Sequence, residues 1–581
     1  MMKRLVPLLL FTVGLFCKSF AQNTPVQAAD TSLKEIQHSS DKFRNELRDS
    51  VTRVTILVGH VVIVQGTTTF YCDSAIMNPN TKIIEAFGNI HINDNDSVHT
   101  YAQYLIYHTD TRIANLQKQV KLTNGKTVLY TEELQYNVND KIGEYHTGGR
   151  IVNEQSVLTS KEGIYYTELK DAYFYGNVVL KDPKYNMKTD SLLYNTGTQV
   201  STFLTLTHIV DSANKQITTR DGFYDIKNRQ AYFGKNPVIK DGAVTIRAMT
   251  IESDDSTGIS ILTGNAVYKD TAQGVVVMGN HIKTNKKEGY FIATQHPLMI
   301  IKQDQDSLYI SADTLISGRL SKLPKPKLPQ DSATIAAAGD SSLKATDSLK
   351  NTLAVARDSA IKAPPSIVSA DTLKTAVVVN AADAPAADND STDRFFSAHY
   401  NVRIFSDSLQ AISDSLFYSG KDSIFKLFKN PILWASNSQV TGDTIYLYTK
   451  NKKADRLYVF ENGMAINKTD SNATMFNQLK GNRLYGYFTD GTIDYMRAKG
   501  SAESVYFVKD EHDKLVGINK ATADIIDLRF KNKELDKVVF ISEPKATMYP
   551  SHMLPEDERK LRNFKWQDTK RPKTKFELFG N

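Results

Sequence analysis

Few residues in this 581-residue sequence have the types and spacing that catalysis or metal binding requires. His91, His99 and His108 are separated by 8 and 9 residues, with no H-x-x-H pattern, which is not the spacing of a zinc site. The acidic run NDNDS at 93–97 lacks the loop pattern of an EF-hand and is better explained as a polar turn. The sequence therefore predicts no metal site and no cofactor.

A catalytic nucleophile is equally hard to find. The tetrapeptide GDSS at 339–342 resembles a hydrolase fragment, but nothing in its surroundings would hold a base beside Ser341. No carboxylate pair, nucleophile elbow or Cys–His pair stands out. There is also no G-x-x-x-x-G-K-[ST] loop that could bind a nucleotide and drive movement. We therefore expect a protein with no catalytic residues, which acts by binding.

The first 21 residues predict an export signal, because two cations precede an apolar stretch at 5–16 and small residues favour cleavage before Gln22. That apolar stretch is too short to span a bilayer permanently. A lipoprotein acylated at Cys17 is an alternative that the bulky preceding Phe16 disfavours. After cleavage only Cys72 remains, so no disulfide can form within one chain.

The formal charge of +7 is unevenly distributed. From Arg559 onward there are eight basic and two acidic residues, a net +6, and the signal is also basic. The body between them is close to neutral, which argues against nucleic-acid binding. The basic end could contact anionic lipid or a partner, or it could be a solvated, disordered tail.

Composition divides the chain into six parts. Residues 321–393 contain no aromatic residue and six of the 17 prolines, a composition that predicts a disordered linker. The other boundaries follow from where strand-like alternation begins and ends. The predicted parts are a signal peptide at 1–21, a polar and weakly helical leader at 22–50, β-repeats at 51–320, the linker at 321–393, a second β-repeat module at 394–550 and a basic tail at 551–581.

A short motif of the form D-S-L-L-Y recurs at nearly constant intervals, which is the signature of a repeat protein. Before the linker the intervals are 30, 29, 29, 29, 30, 28, 31 and 33 residues, and the spacing is looser after it. The copies begin at Cys72, Ala102, Thr131, Ser160, Thr189, Thr219, Arg247, Met278, Ser311, Ser413, Thr441, Lys480 and Thr522. The chain is therefore predicted to contain about thirteen repeats of about 30 residues.

Each repeat is predicted to form two bent strands. In DAYFYGNVVLKD, alternating apolar residues are interrupted at Gly176 and Asn177, and a glycine inside a strand pattern marks a bend or bulge. The partner segment breaks at 189–191 in the same way. Stacked repeats of this kind give an elongated all-β solenoid in which two sheets face each other at an angle.

The repeated phrase GNV-x-[apolar]-x-D … D-x-[apolar]-x-Y behind a signal resembles the OstA/LptA-like domain of lipopolysaccharide transport, also called the organic solvent tolerance-like N-terminal domain. The long OstA-like proteins of the Bacteroidetes type are the most similar. The resemblance is clearest over 51–320 and weaker over 394–550. It implies an OstA/LptA-like β-jellyroll whose two sheets enclose an apolar groove for the acyl chains of lipopolysaccharide.

The resemblance also implies a location and partners. Family members work in the periplasm during outer-membrane assembly, which implies a periplasmic location for this chain and allows an association with the outer membrane. They join an inner-membrane lipopolysaccharide exporter to an outer-membrane translocon by end-to-end stacking of sheets. The length of this chain and its linker depart from the compact family members, which puts simple head-to-tail oligomerisation in doubt.

The candidate groove residues are the apolar positions expected to face inward. The alternative for each of them is an ordinary packed core. The candidates are Ile90, Ile92, Phe174, Val178, Leu180, Leu192, Tyr194, Leu204, Leu206, Val238 and Val267.

Two other functions are compatible with an exported repeat protein. One is a β-helix enzyme that acts on polysaccharide, although β-helix coils are usually shorter than 30 residues and no repeat here carries a cluster of carboxylates. The other is a non-catalytic scaffold of the cell envelope, with the linker spacing two binding modules. A non-catalytic lipid carrier or bridge is the leading hypothesis.

Overall fold

A computed structural model describes residues 35–48, 52–302, 306–323, 391–450, 453–469, 475–489, 492–510, 512, 514–531 and 534–579. The predicted signal and most of the predicted linker lie outside these residues. The described part consists of β-strands with a few short 3-10 helices, so the all-β prediction is confirmed. Contacts divide the chain into two compact units, one ending at Tyr175 and one beginning at Gly176. The module boundaries expected from the sequence stay predictions.

The first unit is built from short and long antiparallel strands, the last of which crosses its boundary. They are β1 (Gln37–Ser39), β2 (Lys42–Leu47), β3 (Arg53–Gln65), β4 (Thr68–Asn78), β5 (Ile83–Asp94), β6 (Val98–His108), β7 (Ile113–Asn124), β8 (Thr127–Asn137), β9 (Ile142–Tyr145), β10 (Gly149–Asn153), β11 (Ser156–Ser160), β12 (Glu162–Tyr166) and β13 (Asp171–Lys181).

The second unit continues the antiparallel pattern. Its strands are β14 (Tyr185–Asn195), β15 (Val200–Phe203), β16 (Thr207–Asp211), β17 (Gln216–Thr219), β18 (Asp221–Asp225), β19 (Gln230–Gly234), β20 (Val238–Asp241), β21 (Val244–Arg247), β22 (Thr250–Asp254), β23 (Ile259–Asp270), β24 (Val275–Asn285), β25 (Tyr290–Thr294), β26 (Leu298–Lys302), β27 (Ser307–Ser311), β28 (Thr314–Arg319), β29 (Arg394–Phe405), β30 (Gln410–Ser419), β31 (Ile424–Phe428), β32 (Ile432–Ala435), β33 (Ser438–Thr441), β34 (Thr444–Lys450), β35 (Lys453–Lys468), β36 (Phe476–Thr489), β37 (Thr492–Lys509), β38 (Leu515–Lys531), β39 (Glu534–Ile541) and β40 (Lys545–Pro550).

The prediction of a weakly helical leader is wrong where the leader is described. Residues 37–39 and 42–47 form β1 and β2, which both pair antiparallel with β3. The local sequence has little strand character, so pairing with the adjacent apolar strand overrides the local preference.

The long strands β5, β13 and β23 bend at a Gly-Asn pair, as the sequence indicates. In β5, Gly88 and Asn89 have φ values of 74° and 42°, in the left-handed region. The register with β6 jumps from Phe87 to Ile90 at this point. A Cβ on Gly88 would lie 2.3 Å from Oδ2 of Asp73, so only glycine fits. Each long strand therefore has two straight arms, which we call arm A (83–87 in β5) and arm B (90–94 in β5).

The Asp and Asn of the repeated motif are structural residues of this bend. Asn89 donates from Nδ2 to Oδ2 of Asp73 on the neighbouring strand at 2.9 Å. In the second unit, Asn462 makes the same bond to Asp443 at 3.0 Å. Much of the motif that reveals the repeat thus fixes the bend between the arms and is not free to bind a ligand.

Two strands on either side of the predicted linker pair directly with each other. In β28 and β29, Thr314 lies opposite His399 and Arg319 lies opposite Arg394. Ser317 also donates from Oγ to the carbonyl oxygen of Phe395 at 2.9 Å. In the sequence, residues 324–390 therefore separate two strands that are hydrogen-bonded neighbours in the second unit.

The basic tail packs against the body, so the alternative of a solvated, disordered end is wrong for the described residues. We call residues 551–579 the strap; it contains 3-10 helices at Glu556–Arg559, Asp568–Lys570 and Lys575–Leu578. Leu554, Leu561 and Leu578 of the strap are only 2–5% exposed. Leu554 and Leu561 share a core cluster with Met464, Ile466, Val505, Phe507 and Ile518, and Leu578 packs on Leu298 and Phe405.

Buried glutamine side chains hold the strap by its backbone. Gln478 donates to the carbonyl oxygen of Arg559 and accepts from the N–H of Leu561, both at 2.8 Å. Because donor and acceptor engage residues two apart, each such side chain imitates the pairing of a neighbouring strand.

A second glutamine repeats this geometry further along the strap. Gln439 donates to the carbonyl oxygen of Lys565 and accepts from the N–H of Gln567, again at 2.8 Å. Beyond it, Arg571 donates from Nε and Nη2 to Oε1 of Gln410, at 2.8 and 2.6 Å. The strap therefore runs back across the strands, from β38 towards β26.

No helical segment in the described part of the chain has the length and hydrophobicity needed to span a membrane.

Candidate lipid-binding interior

The candidate site is the space between the two arms of the bent strands. Side chains two and four residues from Gly88 on either side face this space, and Ile90 and Ile92 are at most 1% exposed. Phe70 on arm B and Tyr107 on arm A meet there, with ring centroids 4.5 Å apart. The inner faces of the arms are thus in direct contact in the first unit, and the space between them is filled by side chains.

Most of the predicted inward-facing residues are buried as expected. Seven of the eleven candidates are at most 1% exposed, which is consistent both with a groove and with a packed core. These seven are Ile90, Ile92, Phe174, Val178, Leu180, Leu192 and Tyr194. Contact of any of them with a lipid stays a prediction.

The inward orientation is wrong at Leu204 and Leu206, which are 44% and 41% exposed. They occupy the corner between β15 and β16, where neither side chain follows the alternation of a strand. The buried residues beside this corner are Phe203, which is 2% exposed, and Thr207, which is 0% exposed.

Val238 and Val267 are only partly buried, and their neighbours occupy the inner face instead. Ile239 is 8% exposed, and Ala266 is fully buried. The position two residues after the bend glycine faces inward whatever its size, and after Gly264 that position is Ala266. The larger Val267 therefore does not lie on the inner face.

Buried polar side chains join the free ends of the arms in the first unit, along a line that we call the seam. Gln65, at the end of an arm B, donates from Nε2 to the carbonyl oxygen of Thr109 at 2.9 Å. It also accepts a bond from Oη of Tyr107 at 2.5 Å. Asn124 closes the seam further along, donating to the carbonyl oxygen of Thr167 at 2.6 Å.

Asp94 is the most connected residue of the seam and is 1% exposed. Its carboxylate accepts bonds from Tyr136 Oη at 2.7 Å and from Thr68 Oγ1 at 3.1 Å. Lys141 completes the cluster as an ion-pair partner. Burial, followed by the charge of Asp94, raises the pKa of the Tyr136 phenol. Such a network stabilises a closed seam, since opening it would leave buried charges unpaired.

The seam residues recur at the repeat interval, a regularity that the apolar alternation does not reveal. Gln65, Asp94 and Asn124 are 29 and 30 residues apart, and each is the last residue of a strand, just before a turn. Asp94 belongs to the acidic run that we interpreted as a polar turn. A polar residue at the last inward position of a strand is the feature that identifies a seam residue.

The imidazoles of His91 and His99 also come together, on the outer face of arm B. His91 Nε2 lies 3.1 Å from His99 Nδ1. Burial, and then the neighbouring His99, lowers the pKa of His91. Within the described ranges, no group of three His, Cys, Asp or Glu side chains is placed to hold a metal ion.

The interior of the second unit is less completely sealed in its short-stranded part. Ile217 is 5% exposed, and Ile226 and Ile239 are each 8% exposed. These residues lie on strands of four or five residues or beside them, so the arms that cover them are short. The short strands therefore leave these interior residues slightly exposed.

The first unit presents an incomplete inner face at its first layer. Phe43 of β2 lies opposite Leu57 of β3, and Leu57 is fully buried. Phe43 itself is 63% exposed, because the described residues place no further layer over it.

Part of the chain matches a known protein family. Residues 34–190 match the family model of the OstA-like protein. Over these residues the chain is OstA-like. The OstA-like range covers the described strands β1 to β13 and ends within β14. The same left-handed bend returns beyond the OstA-like range, for example at Gly264 and Asn265, with φ values of 76° and 46°.

Among solved structures, the chain is similar to LptH, the LptA homologous periplasmic component of the conserved lipopolysaccharide transport device from Pseudomonas aeruginosa. The two are 18% identical over 19% of this chain and 83% of that chain, with a TM-score of 0.17. No curated protein matches the chain.

Proposed function

We propose that this protein is a periplasmic, non-catalytic carrier or bridge for lipopolysaccharide in outer-membrane assembly, which shelters acyl chains between the arms of its bent strands. The observation that carries the proposal is an apolar interior that continues from layer to layer in an OstA-like chain. Burying acyl chain in such an interior is worth about 0.8 kcal/mol per CH₂ group, so even partial cover gives useful binding.

The structure suggests where the lipid enters. The seam hydrogen bonds of Gln65, Asp94 and Asn124 oppose lateral entry into the first unit. Entry is favoured near Ile217 and Ile239, which lie on strands of only four residues and remain 5% and 8% exposed. We therefore assign lipid binding first to this part of the second unit, and to the other inward residues after the seam opens.

End-to-end stacking with an inner-membrane exporter or an outer-membrane translocon requires sheet edges. β1 and β2 supply one, because both pair with β3 and their side chains are exposed. β39 and β40, which both pair with β38, supply another. An added strand would satisfy the unpaired backbone groups of such an edge.

Photo-crosslinking tests the carrier function. A photoreactive residue is placed at Ile239, which faces the interior, or at the adjacent exposed Lys240, in the full chain expressed in cells. We expect lipopolysaccharide adducts at Ile239 and none at Lys240. Equal labelling would indicate surface contact only. A folded variant with no adduct at Ile239, Ile217 or Leu180 would favour a scaffold without lipid cargo.

A further inference from the structure

The far end of the strap presents cations and aromatic rings to solvent. Lys570, Lys573 and Lys575 are exposed. Phe576 and Phe579 are 70% and 38% exposed, with ring centroids 6.2 Å apart. Together the two rings form a contiguous exposed apolar patch at the end of the strap, next to the exposed lysines.

A cavity lies directly beside these residues. It has a volume of about 430 Å³, and its lining includes Asn401, Arg403, Lys429, Asn430, Thr569 and Lys570. Three of the lining side chains are cationic and one, Asp414, is anionic. Arg403 also donates to the carbonyl oxygen of Glu577 at 3.0 Å, which connects the cavity to the strap next to Phe576.

The carboxylates in this region are already paired. Asp414 pairs with Lys429 at 3.0 Å, Glu577 pairs with Arg403 at 3.6 Å, and Asp568 pairs with Lys573. Among the described residues, no carboxylate forms an ion pair with Lys570 or Lys575. Arg571 also pairs with Asp568, and Asp313 accepts a hydrogen bond from Asn401, so six cations face four carboxylates. The surplus positive charge is complementary to an anionic partner.

The strap holds these groups rigidly. Leu578 is buried on Leu298 and Phe405, and Arg571 is bonded to Gln410. The backbone that carries these groups is therefore already ordered before binding, which lowers the entropic cost of docking.

We propose that Arg403, Lys429, Lys570, Lys573, Lys575, Phe576 and Phe579 form a docking face for the surface of an anionic phospholipid bilayer. The cavity would receive a phosphate-bearing headgroup, and the two phenyl rings would enter the interface between headgroups and acyl chains. Clustered Lys residues beside exposed aromatic rings are typical of such peripheral attachment. An acidic protein partner would explain the charge but would not require both phenyl rings to be exposed.

Vesicle co-sedimentation of the full mature chain tests this proposal. The probes are phosphatidylcholine vesicles with and without phosphatidylglycerol. We expect binding only to the anionic vesicles, weakened by salt because exposed charges are screened. Each cation near the surface contributes about fivefold to binding, so the combined K570Q, K573Q and K575Q variant should bind about 100-fold more weakly.

Matched controls come from the other end of the same strap. Lys560, Arg562 and Lys565 are also exposed, and their combined change to Gln removes the same charge. We expect less than about a twofold effect from it, since these residues lie outside the docking face. For the rings, Phe576→Ser should weaken binding severalfold, whereas Met553→Ser, at a residue 65% exposed, should not.

The outcomes separate docking from cargo binding. No binding to anionic vesicles, or equal effects of the two triple variants, would overturn the docking face. If lipopolysaccharide adducts form at Ile239 but the chain does not bind anionic vesicles, the carrier function is supported and the docking face is rejected. Vesicle binding without adducts would support the docking face and remove the proposed cargo. Circular dichroism and limited proteolysis of each variant check that the strap remains packed.

Discussion

The outer face of arm B differs between the two units. In the first unit it faces solvent and carries a row of aromatic and cationic side chains on successive strands. The row consists of Tyr71, His91, Tyr101, Lys121, Tyr130 and Arg150. The rings of His91 and Tyr101 stack at 4.6 Å, and the guanidinium of Arg150 lies 5.0 Å from the ring centre of Tyr130.

In the part of the second unit that the strap covers, apolar residues occupy the corresponding face. The bend begins at Gly88 in β5 and at Glu461 in β35, and His91 and Met464 each lie three residues later. Met464 is 4% exposed. Trp434 is fully buried and lies between Gln410 and Gln439 on neighbouring strands. The strap covers this face.

The comparison shows what sets the alternation of a strand. Around His91 the pattern is apolar inside and polar outside, since water covers one face. Around Trp434, three consecutive residues, Ile432, Leu433 and Trp434, are all buried, because the strap replaces water. Loss of alternation in a repeat is therefore a sign that another segment covers its outer face.

Removing the strap should have the largest effect on the difference in stability between the two units. Truncation before Ser551 exposes Met464, Phe507 and Trp434 and loses the buried strap leucines, each worth about 1.5–3 kcal/mol. We expect the second unit to lose on the order of 5 kcal/mol of stability. The first unit should be unaffected, as measured by hydrogen exchange resolved along the chain. Equal loss of protection in both units would contradict this view.

Much of this fold was accessible from the sequence. The bend at Gly88 and the inward positions Ile90, Phe174 and Leu180 follow from alternation and from the repeat interval. The strap was not accessible, because its buried leucines have no strand or helix period. Its partners also lie far away in sequence, as with Gln439 and Gln567.

The candidate site was only partly accessible for a similar reason. Alternation gives the face of a residue but not whether the interior is filled, closed or open. The seam contacts of Gln65 and Asp94 join residues more than forty positions apart, so local patterns do not contain them. Corners such as Leu204 follow no period, and burial there is decided by the neighbouring layers.

The next largest effect should come from single residues on the two outer faces. Trp434→Ala opens a cavity between sheet and strap, and we expect a loss of about 3–5 kcal/mol. Tyr101→Ala removes a side chain that is 39% exposed, with an expected loss of about 1 kcal/mol or less. Urea unfolding of the full chain, with hydrogen exchange to assign each transition, measures both. Similar losses would mean that the row on the first unit is also covered.

A smaller effect should follow from releasing one point of the strap. Gln478→Ala leaves the N–H of Leu561 and the carbonyl of Arg559 without partners, which costs about 1–3 kcal/mol when these groups stay buried. Hydrogen exchange of the Leu561 N–H should accelerate, while the hydrogen bonds of Gln439 to the strap remain. Gln478→Glu retains the acceptor for Leu561 and should cost less if the acceptor matters more than the donor. Unchanged exchange in the alanine variant would show that leucine packing alone holds the strap.

The smallest effect should be a pH response confined to the first unit. Burial and His99 lower the pKa of His91 below its usual value of 6.5, so the folded state resists protonation more than the unfolded chain does. The stability contributed by neutral His91 is therefore present above pH 6.5 and declines as the pH falls below that value. Hydrogen exchange of β5 and β6 between pH 7.5 and 5.5, corrected for the intrinsic rate, should show a small loss of protection. His91→Phe keeps a ring stacked beside Tyr101 and should abolish this loss. Met464, which cannot titrate, occupies the corresponding position in the second unit, so β35 should not respond. A loss of protection that persists in His91→Phe, or one of equal size in β35, would assign the pH response to another group.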